Sequence, residues 1–356
     1  MSLTRRGKVV VAIAAALGLV GVGGIALALT GHAPAVIQRA VDKVTGHGPT
    51  PAPPPPTCPL TGKPAPGGVV PQRPVLAVKV ENTPDAYPLV GLQNADVVYE
   101  ELVEGGITRF MALYQCKDSA KVGPVRSART TDPKVLIQYD PHPVIAYSGA
   151  QLAVVHIVEQ AGLVGFDETT GGDAFWRDPN RVAPHDLFVS TTKLRAKGAQ
   201  RTANEGPPRR LLQFDPATPS VGKHVASVSM AFSSSVTATW KWLPASARWE
   251  RMLGGAPMML GTGTPITATN VVIQQVVVTQ GNLVDVLGYH SPEVTLTGTG
   301  KAWVLRNGLL IAGKWVRPVM GAVTKFETKT GEIISFAPGN TWIELVAKGT
   351  PPTITK

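Results

Sequence analysis

Hydrophobic and polar positions divide the chain into zones of different texture. Residues 9–30 carry no charged side chain and are rich in Ala, Val, Leu and Gly. As a helix such a run would rise about 33 Å, enough to cross a hydrocarbon core of about 30 Å. Just beyond it, Val36, Ile37, Ala40, Val41 and Val44 recur at helical spacing with Arg39, Asp42 and Lys43 between them. That spacing fits a short amphipathic helix on the lipid surface, or equally the frayed end of the span. Six prolines then fall between positions 49 and 56. Repeated proline fixes φ and removes backbone donors, so an extended, semi-rigid stalk is expected.

From residue 58 the pattern mixes two periods. Apolar-rich runs at 75–81, 96–102, 110–116 and 144–147 read as strands. Asp132-Pro133 supplies an N-cap and a first-turn proline, which predicts a helix through Tyr139. Residues 151–160 predict a helix closed by Gly162, and 191–197 another. After 221 the helical signal stops. Alternating or β-branched runs predict strands at 225–232, 236–243, 248–253, 270–278, 301–305, 309–316, 323–328, 333–336 and 342–346. Asn307-Gly308 is a two-residue hairpin signal, and Thr330-Gly331 reads as a second turn.

The expected fold class is therefore α+β. A mixed α/β N-terminal domain (58–220) should precede a smaller, nearly all-β C-terminal domain (221–348) and a tail (349–356). Ahead of them stand a basic cytoplasmic tail (1–8), a transmembrane helix or signal anchor (9–30), and a juxtamembrane segment and stalk (31–57). Arg5, Arg6 and Lys8 flank the apolar run, so the positive-inside rule leaves the C-terminal bulk outside the cytoplasm. Ala33-Pro34-Ala35 also has the small-x-small form of a cleavage site. The apolar run exceeds an ordinary signal core, however, and favours a retained anchor.

Composition refines this picture. Charged residues are 16% of the 356, while 37 Gly and 32 Pro favour turns and short strands. The net charge of +10 is uneven: residues 58–221 hold seventeen basic and seventeen acidic side chains, and residues 222–356 hold twelve and six. No basic block or binding motif points to nucleic acid. Cys58 and Cys116 are the two cysteines of the sequence. They form no CxxC pair, so a zinc site is not expected; in an oxidising exterior a single disulfide is a candidate. Six of the seven tryptophans lie beyond residue 222, where an all-β core or an exposed polymer-binding surface could use them.

Several motifs follow one another in a specific order: CPLTG (58–62), RPVLAVKVEN (73–82), GLQNADVVYEE (91–101), EGGITRF (104–110), GPVRSAR (123–129), FWRD (175–178) and APH (183–185). GTGK (298–301), TKF (324–326) and PGNTWI (338–343) continue the series. Across about residues 58–347 the chain resembles the YerB-like family of bacterial envelope proteins. The resemblance implies an α/β N-terminal domain joined to a smaller β-rich one, and no reaction. Familiar members look like lipoproteins with a lipid-modified cysteine just after a signal sequence. Here Cys58 lies far past the apolar run, so the membrane span is expected to replace that anchor.

Candidate chemistry concentrates between residues 100 and 186. Glu100, Glu101 and Glu104 end a strand and enter Gly105-Gly106, with Arg109 just after. Glu101, Glu104 and His185 are candidate acid/base residues, although Glu100 and Glu101 must face opposite sides of a strand. Arg126 and Arg129 could grip an anion bidentately, or pair with those glutamates. Arg109, Trp176, Arg177, Asp178 and Arg181 complete the ligand-binding candidates. There is no Gly-x-Ser-x-Gly elbow, His-Glu-x-x-His or Walker loop, and no cofactor or metal is expected. The expectation is a membrane-anchored extracytoplasmic protein of the cell envelope, noncatalytic, that binds or scaffolds a wall polymer or an envelope protein. The alternative is an enzyme acting on envelope polymers or precursors through a Glu/His/Arg cleft.

Overall fold

The computed structural model describes residues 54–199, 202, 205–349 and 351–356. The predicted span at 9–30, the juxtamembrane helix and most of the stalk lie outside the described residues. No helix among the described residues is long and apolar enough to cross a membrane. Residues 55–356 form one compact unit.

Its first half contains β1 (Leu76–Asn82), β2 (Val97–Leu102), β3 (Thr108–Tyr114), α1 (Thr131–Leu136), β4 (Val144–Ala146), α2 (Leu152–Gln160), β5 (Val164–Phe166), α3 (Glu168–Gly171), β6 (Phe175–Arg177), β7 (Leu187–Val189) and α4 (Thr191–Gly198). Its second half is strand after strand: β8 (Lys223–His224), β9 (Ser227–Ala231), β10 (Thr237–Leu243), β11 (Arg248–Leu253), β12 (Ala256–Pro257), β13 (Thr267–Ala268), β14 (Asn270–Val284), β15 (His290–Thr295), β16 (Gly298–Arg306), β17 (Leu309–Arg317), β18 (Lys325–Thr328), β19 (Thr341–Ala347) and β20 (Thr353–Thr355). The mixed first half and β-rich second half agree with the sequence reading.

A 12-stranded sheet runs in the order β18-β17-β16-β14-β19-β2-β3-β1-β4-β5, with β15 on β14 and β8 on β17. It draws strands from both sides of residue 220. The seam is the parallel pair β19–β2, which sets Trp342 beside Val98 and Glu344 beside Glu100. A 6-stranded sheet, β12-β11-β10-β9-β20 with β13 on β11, and the β6–β7 ribbon complete the unit.

Strand alternation gives the large sheet two apolar faces. On one, Val78, Val80, Val98, Phe110 and Trp342 pack with Val228, Trp240 and Trp249 of the small sheet. The rings of Phe110, Trp342 and Trp240 stack edge-on in series, 5.1 and 5.2 Å apart. The other face sets Ala77, Val97, Tyr99 and Met111 against Val135 and Leu136 of α1 and Val154 and Val158 of α2. Trp240, Trp249, Trp315 and Trp342 are buried, so these four tryptophans are core and not a polymer-binding surface.

Local signals account for much of the detail. The β16–β17 turn places both Asn307 and Gly308 at positive φ, the conformation a type I′ hairpin needs. Ser190 caps α4 by accepting from the Lys193 N–H. One predicted strand is corrected: 333–336 makes isolated bridges, Ile333 to Glu327 and Phe336 to Phe214, which lie on unconnected segments. Cys58 is disulfide-bonded to Cys116, tying the start of the unit to the segment just after β3.

Candidate functional site

The site begins with three adjacent strands. In the register of β1, β3 and β2, Glu81, Arg109 and Glu101 stand side by side, and directly opposed residues share a face. Simple register would pair Arg109 with either carboxylate. Neither pairing forms, because other elements reach those carboxylates first. Lys79, also on β1, bonds Glu101 and holds Asp132 of α1 at 2.8 Å. All three side chains are essentially inaccessible to water. Burial pushes the Glu101 carboxyl up to about 7 despite Lys79. Glu81 accepts from the His185 ring at 2.9 Å and lies 3.3 Å from Arg126 Nε.

The segment after β3 supplies the remaining arginines. Gly123 adopts φ +147°, and a side chain there would press on the Leu187 carbonyl and the Val125 amide. Glycine lets the chain pass close to β7, and the Arg126 N–H then donates to the Lys79 carbonyl at 3.0 Å. Three residues on, the Asp132 carboxylate accepts from the Arg129 N–H at 2.7 Å. Arg129 grips Glu104 through Nε at 2.7 Å and Nη2 at 2.5 Å, and donates Nη1 to the Ala128 carbonyl. Burial alone would raise the Glu104 carboxyl, but Arg129 and Ser291 hold it below its ordinary value.

Arg109, Arg126, Arg129 and Glu104 therefore share the wall of one open cavity of about 520 Å³. Arg109 is 8% exposed. Its sole hydrogen bond among the described residues runs from Nη1 to the Ser127 carbonyl, at 3.4 Å, and none of the described carboxylates forms an ion pair with it. Burial, then the charges of Arg129 and Arg126, lower its guanidinium to about 10. A buried cation influenced by two others at a cavity wall is an electrostatic cost that an incoming anion relieves.

The other sequence candidates lie elsewhere. Glu101 is buried with Lys79 and Asp132 and does not line the cavity. His185 is held by Glu81 and does not line the cavity, so Glu101, Glu104 and His185 do not converge as an acid/base set. Trp176 packs against Phe188, ring centroids 6.4 Å apart. Arg177 bonds Asp186 at 2.6 Å and Glu168 at 3.1 Å, and Asp178 accepts from Lys121 at 2.5 Å. Arg181 donates to the Ala86 and Pro88 carbonyls. Arg177 and Asp178 are ion-paired, Arg181 is held by backbone carbonyls, and none of these four lines the arginine cavity.

Sequence reasoning took Asp132 for a helix cap, whereas the helix begins at Thr131, and did not single out Lys79, Glu81 or Ser291, nor the β14–β15 hairpin whose Val284, Val286, Leu287 and Tyr289 form the opposite wall. Lys79 and Glu81 did carry a signal: both are charged residues within an otherwise apolar strand, VLAVKVEN. Among the described residues no cluster of His, Cys, Asp and Glu could hold a metal ion.

An α/β half fused through one sheet to a β-rich half, with an arginine-walled cavity at the end of β2 and β3, defines a two-part architecture with matching parts in known proteins. Residues 60–204 match the N-terminal domain, and residues 228–343 the C-terminal domain, of the DUF3048 family, described as proteins of unknown function. The chain belongs to this family. YerB of Bacillus subtilis (strain 168), a candidate lipoprotein by its name, is 29% identical over 297 residues, covering 81% of this chain and 85% of that one. The crystal structure of the Bacillus subtilis YerB protein superposes with a TM-score of 0.72 at 26% identity, over 84% of this chain and 99% of that one.

Proposed function

We propose that the protein is a noncatalytic binding module of the bacterial cell envelope, anchored through residues 9–30, that takes an anionic group of a wall component or envelope protein between Arg109, Arg126 and Arg129. The observation that carries this reading is Arg109: buried, without a carboxylate partner among the described residues, and aimed at an open cavity. Guanidinium groups suit phosphate and carboxylate because their planar donors match two oxygens at once. Among the described residues neither terminal nitrogen of Arg126 has a hydrogen-bond partner, which leaves further donors for a ligand. The name of YerB supports attachment to the envelope. The Cys58–Cys116 disulfide supports an oxidising compartment.

The enzymatic alternative, hydrolysis or transfer on an envelope polymer, would draw on Glu104 as acid or base. Glu104 is already committed to Arg129 and Ser291, which favours the binding reading. The test is retention of the purified 55–356 unit on cell-wall and envelope fractions, beside its Arg109→Met variant and a charge-matched control protein. Retention at least about tenfold above both comparators is expected, since a buried guanidinium–anion contact is among the strong hydrogen bonds. Retention equal to the control overturns the reading.

A further inference from the structure

We infer that the ligand of this cavity is an anionic amphiphile, with its head on the arginines and its apolar tail along the β14–β15 hairpin. This rests on the proposed anion site and adds the chemistry of the rest of the ligand. The cavity has two unlike walls. One is the arginine wall. The other is the hairpin tip and α2, with Val154, Val284, Val286, Leu287 and Tyr289 facing the same space.

The tip is apolar beyond what a solvated turn requires. Val286 is fully exposed, Leu287 is 76% exposed and Tyr289 53%. Nor is this an unstructured loop. The Asp285 carboxylate accepts from the Leu287 and Tyr289 N–H groups at 2.9 and 2.8 Å, and the Asp285 N–H donates to the Tyr289 carbonyl. That turn fixes Val286 and Leu287 outward. The hairpin is tied to the site at two further points: Gln151 donates to the Val284 carbonyl at 2.9 Å, and Ser291 donates to Glu104. Exposed apolar side chains held in place beside buried cations present one surface for a tail and one for a head.

Charge balance sets the head. Glu104 offsets Arg129, Glu81 offsets Arg126, and the Asp285 carboxylate on the facing wall is taken up by the turn's own N–H groups, which leaves Arg109 without an ion pair among the described residues. A head of one phosphate or carboxylate group fits that balance. A free anion would leave the apolar wall facing water. A neutral lipid would leave Arg109 without an anion.

The experiment is calorimetric titration of the 55–356 unit, the part to which the solved relative corresponds. The probes are inorganic phosphate, dodecyl phosphate below its micellar concentration, and dodecyltrimethylammonium. Dodecyl phosphate should bind about a hundredfold tighter than inorganic phosphate, because each buried methylene contributes roughly fourfold. A negative heat-capacity change should accompany it. Leu287→Asp, at an exposed tip where folding is not at risk, should lower the ratio of dodecyl phosphate to phosphate affinity about tenfold. Arg109→Met should weaken both anions. Equal affinity for phosphate and dodecyl phosphate overturns the amphiphile inference while the anion site stands. Failure of both anions to bind overturns both. Equal binding of the ammonium probe also overturns the inference, since it reports apolar adsorption without a role for the arginines.

Discussion

Glu344 on β19 lies directly beside Glu100 on β2 in the parallel register that joins the two halves of the protein, and both carboxyls turn to Arg251. Arg251 Nη2 lies 2.8 Å from Glu100 and Nη1 3.2 Å from Glu344, while the Trp240 indole donates to Glu344 at 2.7 Å. Burial and the neighbouring Glu100 raise the Glu344 carboxyl well above its ordinary value. The seam therefore sets one cation against two carboxyls, all inaccessible to water.

That arrangement separates two substitutions. Arg251→Met strands the carboxyl pair in the core and should cost about 3–5 kcal/mol. Glu344→Gln keeps an acceptor for Trp240 and removes a charge that burial and Glu100 already disfavour, so its cost should stay near 1 kcal/mol. Urea unfolding of the 55–356 unit measures both. Comparable losses for the two variants would mean that Glu344 is ionised. Because the seam belongs to both halves, Arg251→Met should also lower the stability of both together, with fluorescence of the β-rich half and far-ultraviolet signal of the helices moving in one transition.

Asp96 gives the stability of the fold a defined pH dependence. Its carboxylate accepts from the Gln115 and Cys116 N–H groups at 2.7 and 3.2 Å, yet burial prevails and lifts it to about 6. A carboxyl whose folded-state value lies above its unfolded one favours folding while protonated. That contribution is whole below about pH 4 and is lost as pH rises through about 6. Asp96→Asn keeps an oxygen for both amides and cannot ionise. Relative to the parent, the variant should gain on the order of 2 kcal/mol between pH 4 and pH 7. Denaturant midpoints at four pH values check this. A stability difference that stays constant across the range would refute the burial argument.

The residues also show how far the sequence could be read. Alternation along VVYEEL requires Glu100 and Glu101 to part company, and they do: one reaches Arg251, the other Lys79 and Asp132. Asn307-Gly308 fixes its own turn because its φ values are a local matter. Arg109 is the contrary case. Its neighbours in register, Glu81 and Glu101, would neutralise it if pairing were local. Which cation each carboxylate meets depends on Arg126, brought in by the loop after Gly123, and on Lys79, two residues along β1. The hairpin wall escaped for a related reason. Gly281, Asn282, Asp285 and Gly288 dilute its apolar residues, and only the fold shows that β14 continues to Val284 and turns back beside the cavity.

The placement of Arg109 leads to a sharper test of the site, because stability and binding should move in opposite directions. Arg109 is buried and shares the cavity wall with Arg126 and Arg129, and burial and like charge together lower its guanidinium to about 10. A methionine of similar length fills the same space without charge. Arg109→Met should therefore leave the unit unchanged or stabilise it by about 1 kcal/mol. The same variant should lose the rise in melting temperature that millimolar inorganic phosphate gives the parent, a rise expected because a ligand bound to the folded state stabilises it by mass action. Thermal unfolding of both proteins, with and without phosphate, reads the two effects in one experiment. If Arg109→Met instead unfolds the protein by more than about 2 kcal/mol, Arg109 is holding the fold together. The arginine wall would then be structural, and the cavity would lose its claim to an anion.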